Sequence, residues 1–201
     1  MRIWTIGHST RALDEFISLL KENGIKLLAD VRAWPGSKRY PQFNMEALMQ
    51  SLNGHGIRYE HFPELGGKRK PNPDSRNTAW RNASFRAYAD YMETEQFQKG
   101  VQRLLHVATE GAAVRHRTDS PWRTWAAAEH DGWEAVTPWP TAIMCAEAVW
   151  WRCHRSLIAD YLKARGVEVV HILGINKVEA HPYTSAARIV DGMLNYASEG
   201  D

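Results

Sequence analysis

The chain has 201 residues, with 25 lysines and arginines against 23 aspartates and glutamates, a formal net charge of +2. That length fits one medium domain with a core of its own, and 44% hydrophobic with 24% charged residues excludes a disordered chain. Two cysteines exclude a disulfide framework, no apolar run nears the roughly 20 residues of a membrane helix, and residues 1–10 lack a signal peptide's apolar stretch, so a cytoplasmic location is expected.

The first element is a short β-rich run, residues 3–6, ending in Gly7-His8-Ser9-Thr10. Leu13, Phe16, Ile17, Leu19 and Leu20 then recur at helical spacing, with Asp14 and Glu15 in the first turn and Asn23-Gly24 as the stop. A second apolar run, 25–31, carries Asp30-Val31-Arg32 at its end, and the loop Trp34-Pro35-Gly36-Ser37 follows. Met45, Leu48, Met49 and Leu52 predict a helix closed by Asn53-Gly54, and residues 57–62 a third strand. Residues 63–82 are loop, rich in proline, glycine and basic side chains, and two helical patterns fill 83–108. Residues 141–146 predict a fourth strand, 154–165 a helix stopped by Gly166, and 167–173 a fifth strand. A weak final helix is expected around 186–193.

Strands alternating with helices predict a single α/β domain: a mostly parallel sheet of about five strands with helices on both faces. An incomplete α/β barrel is the alternative, because sequence does not fix strand order. Residues 110–140 break the alternation and hold Trp122, Trp125, Trp133 and Trp139, four of the chain's nine tryptophans. They are expected to form an insertion or lid, or a satellite cluster packed on the sheet edge.

Right-handed crossovers place the C-terminal strand ends along one rim, where such folds build their sites. The rim would collect His8 and Ser9 from strand one, Asp30 and Arg32 from strand two, and His61 and Glu64 from strand three. Strand four would bring Cys145 and Glu147, the next loop Cys153, His154 and Arg155, and strand five His171 near its end. Cys153-His154-Arg155-Ser156 opens a helix, where free backbone N–H groups favour an anion and lower a thiol's pKa. Cys153 is therefore a candidate nucleophile, and the turn with Arg155 a candidate phosphate cradle. Packing of Cys153 and capping by His154 or Arg155 are the plainer alternatives. Asp30 and Arg32 stand two apart on a strand end, placed either to form an ion pair or to bind and orient an anion. Glu147 is a candidate general acid or base. Cys145, Cys153 and His154 offer metal-ligand types, but their spacing is not that of a zinc ribbon, and no metal is assigned. Nor does any motif name a cofactor: P-loop, dinucleotide-binding and nucleophile-elbow patterns are all absent.

The charge is uneven. From Arg32 to Arg86, ten basic residues stand against four acidic ones, with Trp34, Tyr40, Phe43, Tyr59 and Trp80 interleaved. Basic loops with aromatic platforms suit a nucleotide or a polyanion, though a solvated basic loop has the same composition.

Several stretches together resemble a known family. They are Thr5-Ile6-Gly7-His8-Ser9, Asp30-Val31-Arg32 with Pro35-Gly36-Ser37, Pro41-Gln42-Phe43, and Pro63-Glu64-Leu65-Gly66-Gly67. Asn82-Ala83-Ser84-Phe85-Arg86, Tyr88-Ala89-Asp90-Tyr91-Met92, Met144-Cys145-Ala146-Glu147, and Cys153-His154-Arg155-Ser156-Leu157-Ile158-Ala159-Asp160 complete the set. This set resembles the bacterial and archaeal family called domain of unknown function 488. The resemblance spans nearly the whole chain and implies an α/β fold but no activity. Residues 110–140 depart from it, since family members pass into the fourth strand by a short connection.

Three functions fit these residues. The first is an enzyme, a transferase or hydrolase, acting on a phosphate-bearing or nucleotide-like substrate. Arg32, Ser9, His154, Arg155 and Glu64 would bind it, and Cys153, Glu147, Asp30 or His8 would do the chemistry. The second is a non-catalytic nucleic-acid-binding module, and the third a protein-interaction module using the tryptophan-rich insertion. A small phosphorylated molecule or a nucleic acid is thus the expected partner, and a membrane is not.

Overall fold

The computed structural model of the chain describes residues 1–110 and 138–198. The expected insertion or lid, with Trp122, Trp125 and Trp133, therefore lies outside the described residues apart from its two ends.

The order is β1 (Arg2–Gly7), α1 (Leu13–Glu22), β2 (Leu27–Asp30), α2 (Met45–Asn53), β3 (Arg58–His61), α3 (Ala83–Met92), α4 (Glu95–Glu110), β4 (Thr141–Cys145), α5 (Arg155–Ala164), β5 (Glu168–Gly174), β6 (Lys177–Ala180), β7 (Arg188–Val190) and β8 (Met193–Asn195). Six strands form one open sheet in the order β3-β2-β4-β1-β5-β6, and β7 pairs with β8 apart from it. The first five are parallel and β6 runs antiparallel to β5. Among the described residues the sheet has two open edges, β3 and β6, and forms no closed barrel. None of the described helices is long and apolar enough to cross a membrane.

The helices separate onto two faces because the strands alternate. Leu28, Ala142 and Met144 face α1 and α2, whose Phe16, Leu19, Leu20, Leu48 and Leu52 cover them. Ala29, Val31, Ile143 and Cys145 face the other way, toward Tyr88, Phe97, Leu157 and Ile158 of α3, α4 and α5. With β4 inserted between β2 and β1, chain paths diverge at its tip. β1 and β2 lead to helices on one face, whereas β4 leads to α5 on the other. Such a switch point leaves a crevice outside the strand ends.

Two expectations are corrected at the C-terminal end. Instead of a helix over 186–193, β7 and β8 form a hairpin. Asp191 (φ 50°) and Gly192 (φ 77°) take the two positive-φ positions of a tight turn matched to strand twist, a stronger local signal than the weak helical pattern. β5 ends at Gly174, one residue beyond the expected end, and His171, expected near the rim, instead sits within the strand opposite Thr5. β5 turns through Asn176 (φ 51°) into β6, which no pattern announced.

Candidate functional site

The crevice at the switch point encloses about 390 Å³ and is lined from three strand ends. His8, Ser9 and Thr10 follow β1; Arg32, Trp34, Gly36, Ser37 and Tyr40 follow β2; Ala146, Glu147 and Ala148 follow β4. Close approach of the first and third loops depends on Gly7, where a Cβ would run into the Glu147 carbonyl and lie 2.9 Å from Arg155 Nη2.

Asp30 and Arg32 form the ion pair that their spacing allowed, and they form it buried. Asp30 is fully buried and Arg32 is 6% exposed. Arg32 Nη2 donates to Asp30 Oδ2 at 2.5 Å and to the Phe43 carbonyl at 2.9 Å, and Nε donates to Asp30 Oδ1 at 2.9 Å. The Arg32 amide also donates to Oδ1, and the Tyr59 hydroxyl donates to Oδ2 at 2.7 Å. Burial and the Asp30 charge push the Tyr59 phenol far above its ordinary range, which keeps it a donor. These bonds fix the guanidinium, and among the described residues they leave Nη1 without a carboxylate or carbonyl partner. That nitrogen meets His8 Nε2 at 3.4 Å.

The tautomer of His8 follows from its partners. Nδ1 lies 3.0 Å from the Ser9 carbonyl, which only accepts, so Nδ1 carries the proton. A guanidinium only donates, so Nε2 presents its lone pair. Burial first, and then the Arg32 charge, lower the imidazole to about 4. The ring stacks on Phe43 at 4.3 Å between centroids. His8 is thus neutral at neutral pH, with its basic nitrogen beside a fixed cation.

The cysteines lie on the opposite face of the sheet. Cys145 closes β4 toward α5, and Cys153 precedes α5; both are free thiols in the apolar layer. His154 Nδ1 lies 3.6 Å from Cys153 Sγ and 3.9 Å from Cys145 Sγ, while its Nε2–H donates to the Val31 carbonyl at 3.1 Å. Arg155 Nε donates to Cys153 Sγ at 3.4 Å and Nη2 to the Glu147 carbonyl at 2.5 Å. Burial acts to raise the Cys153 thiol, but the hydrogen bond from Cys145 and the neighbouring His154 and Arg155 outweigh it and hold the group well below an ordinary thiol. The same hydrogen bond, with burial, pushes Cys145 well up.

The predicted rim residues therefore divide into two sets. His8, Ser9, Arg32 and Glu147 line the crevice, with Asp30 buried behind Arg32. Cys153, His154 and Arg155 are not among its lining residues. Arg155 is 1% exposed, and its guanidinium ties α5 to the loop after β4 instead of opening to solvent. Glu64 pairs with Arg103 of α4 at 3.2 Å. Tyr40, Phe43 and Tyr59, expected only as aromatic platforms of the basic stretch, belong to the site, as does Ser37, which had no expected role there. Phe43 lies in the Pro41-Gln42-Phe43 motif, and Tyr59 shares a strand face with its buried neighbours, but neither signal says which carboxylate it would meet.

The family Domain of unknown function DUF488 matches residues 12–128 and 131–162. The chain belongs to that family. No curated protein and no solved structure matches it. The match includes most of 110–140, the segment expected to depart from the family.

Geometry gives the motifs behind this membership physical reasons. Gly66 lies against Ala33, and Gly67 lies against His154, where a Cβ would stand 2.5 Å from Nδ1. Asp160, the last residue of the α5 motif, is fully buried and accepts from His181 Nε2, the Thr184 amide and hydroxyl, and the Tyr196 hydroxyl. His181 Nδ1 meets His171 Nε2 at 2.9 Å, and His171 Nδ1 meets the Thr5 hydroxyl at 2.7 Å. Trp150 stacks on His171 at 4.3 Å between centroids. This network fastens the C-terminal segment to α5, β5 and β1.

Proposed function

We propose that the chain is an enzyme, a hydrolase or transferase, that takes a phosphate-bearing, nucleotide-like substrate into the crevice between the β1, β2 and β4 loops. The observation that carries this reading is the state of Arg32. Asp30 and Phe43 hold its other nitrogens, and Nη1 stands beside His8 Nε2 at the crevice wall. A guanidinium held in this way binds a phosphoryl oxygen with little loss of rotamer freedom. Ser9 and Ser37 supply hydroxyls in the same lining, and Trp34, 69% exposed, and Tyr40 supply aromatic surface for a base.

In this mechanism His8 is the acid–base group. An anion on Arg32 offsets the cation that helps hold His8 near 4, so its basicity rises when the substrate arrives. Nε2 then takes the proton from an attacking water or hydroxyl as that oxygen bonds to phosphorus; the bond from phosphorus to the leaving oxygen breaks, and the protonated ring returns the proton to that oxygen. Glu147, from the β4 loop in the same lining, orients the nucleophile.

Titration with inorganic phosphate and with a nucleoside monophosphate, followed by NMR, tests the reading. Phosphate should move the His8 ring resonances and raise their apparent pKa, and Arg32→Lys should weaken binding tenfold or more. Trp34→Ala should weaken the nucleotide about 5- to 160-fold, at roughly 1–3 kcal/mol per stacked base, and leave phosphate unaffected. A steep salt dependence for oligonucleotides, with no response of His8 to phosphate, would favour the nucleic-acid module instead.

A further inference from the structure

We infer that Cys145, Cys153 and His154 form a binding site for a thiophilic divalent cation of the zinc class, separate from the crevice. Among the described residues, the ligand atoms of these three side chains all lie within 4.8 Å of one another. Tetrahedral zinc, with bonds of about 2.3 Å to sulfur and 2.0 Å to nitrogen, holds such ligands roughly 3.5 Å apart along each sulfur–nitrogen edge. The two edges here are 3.6 and 3.9 Å.

Orientation of the imidazole is a second, independent observation. His154 Nε2–H donates to the Val31 carbonyl, which directs Nδ1 at both sulfurs. A backbone carbonyl on the distal nitrogen is the usual outer partner of a metal-ligating histidine, because it fixes the ring and raises the basicity of the ligating nitrogen. Arg155 Nε gives Cys153 a comparable partner on its sulfur. The third observation is Gly67, whose missing side chain leaves room beside Nδ1 that an alanine Cβ would enter at 2.5 Å.

Linear spacing concealed the site because its ligands come from two separate points of the chain. Cys145 ends a strand, and Cys153 and His154 precede a helix. The fold closes the loop between them through the Arg155–Glu147 bond. Three protein ligands leave a fourth position for solvent or a small ligand. Two thiolates balance the charge of the divalent ion.

The test uses the full chain, purified with reductant and freed of metal. Zinc should bind at one equivalent and protect both thiols from iodoacetamide. Cobalt should give the near-ultraviolet thiolate charge-transfer band and the visible bands of tetrahedral Co(II). Cys145→Ser and Cys153→Ser, checked for fold by circular dichroism, should each abolish the charge-transfer band or weaken binding at least tenfold. Arg32→Lys should leave metal binding unchanged, which separates this site from the proposed function. Unprotected thiols in the wild-type chain, or cobalt binding that survives both cysteine replacements, would overturn the inference.

Discussion

At the scale of single residues, the molecule invests its buried polar groups in positioning. Asp30 never reaches the crevice; it accepts from the Arg32 guanidinium, the Arg32 amide and the Tyr59 hydroxyl, and so aims one nitrogen of Arg32. Tyr59→Phe removes one bond to a buried carboxylate without changing shape. A hydrogen bond to a charged group contributes about 1.5–3 kcal/mol, so urea unfolding should show a loss of about 2 kcal/mol, with phosphate binding reduced by little. Full stability in that variant would sink the idea that Asp30 depends on Tyr59. Gly67→Ala works by sterics. Its Cβ would lie 2.5 Å from His154 Nδ1 and 2.8 Å from Cγ, so the ring or the Gly66-Gly67 backbone must move. Overpacking of this kind costs about 1–3 kcal/mol, and the same unfolding measurement checks it.

At the scale of elements, local chemistry sets the boundaries. The Asn82 side chain accepts from the amides of Ser84 and Phe85, capping α3 and turning a long loop into the wall behind the cysteines. Asn82→Ala should cost about 1 kcal/mol in the unfolding midpoint, whereas Asn82→Ser should restore most of it. Elements of this kind were legible in the sequence, because a cap, an apolar period and a stop are written within a few residues. The hairpin at Asp191-Gly192 was missed: the weak helical period predicts a helix there, but the turn dipeptide in fact outweighs it. The rim residues were legible as polar positions after apolar runs. What could not be read was their division between two faces. Asp30 and Cys145 both end strands. They face opposite layers because β4 inserts beside β2 in the register that pairs Asp30 with Met144. Strand order and register are properties of the whole sheet, so no local pattern carries them. Phe43, the partner of His8 and Arg32, and Tyr59, the partner of Asp30, come from separate elements and become neighbours only after the sheet has formed.

At the scale of the whole molecule, two buried histidines on different elements couple folding to pH. His8 lies under the crevice against Arg32 and Asp30, and His171 lies within β5 among Thr5, Trp150 and His181. Burial first, then Arg32, lowers His8 to about 4; burial first, then His181 and Arg155, lowers His171 to about 3. In the unfolded chain both return to about 6.5, so between these values the unfolded state binds more protons. Stability therefore rises with pH across that window. Both contributions are fully present above about pH 6.5 and fall as the pH drops, that of His8 levelling off near 4 and that of His171 near 3. At 1.36 kcal/mol per unit, His8 alone accounts for about 3 kcal/mol between the ends of its range. Urea midpoints should thus decline from pH 6.5 to 5, above the range in which ordinary carboxylates titrate. His8→Gln should flatten part of that decline, and phosphate should flatten it in the wild-type chain, because an anion on Arg32 favours protonated His8 in the folded state. A decline of equal slope in wild type and His8→Gln would mean that His8 does not couple the crevice to the stability of the fold.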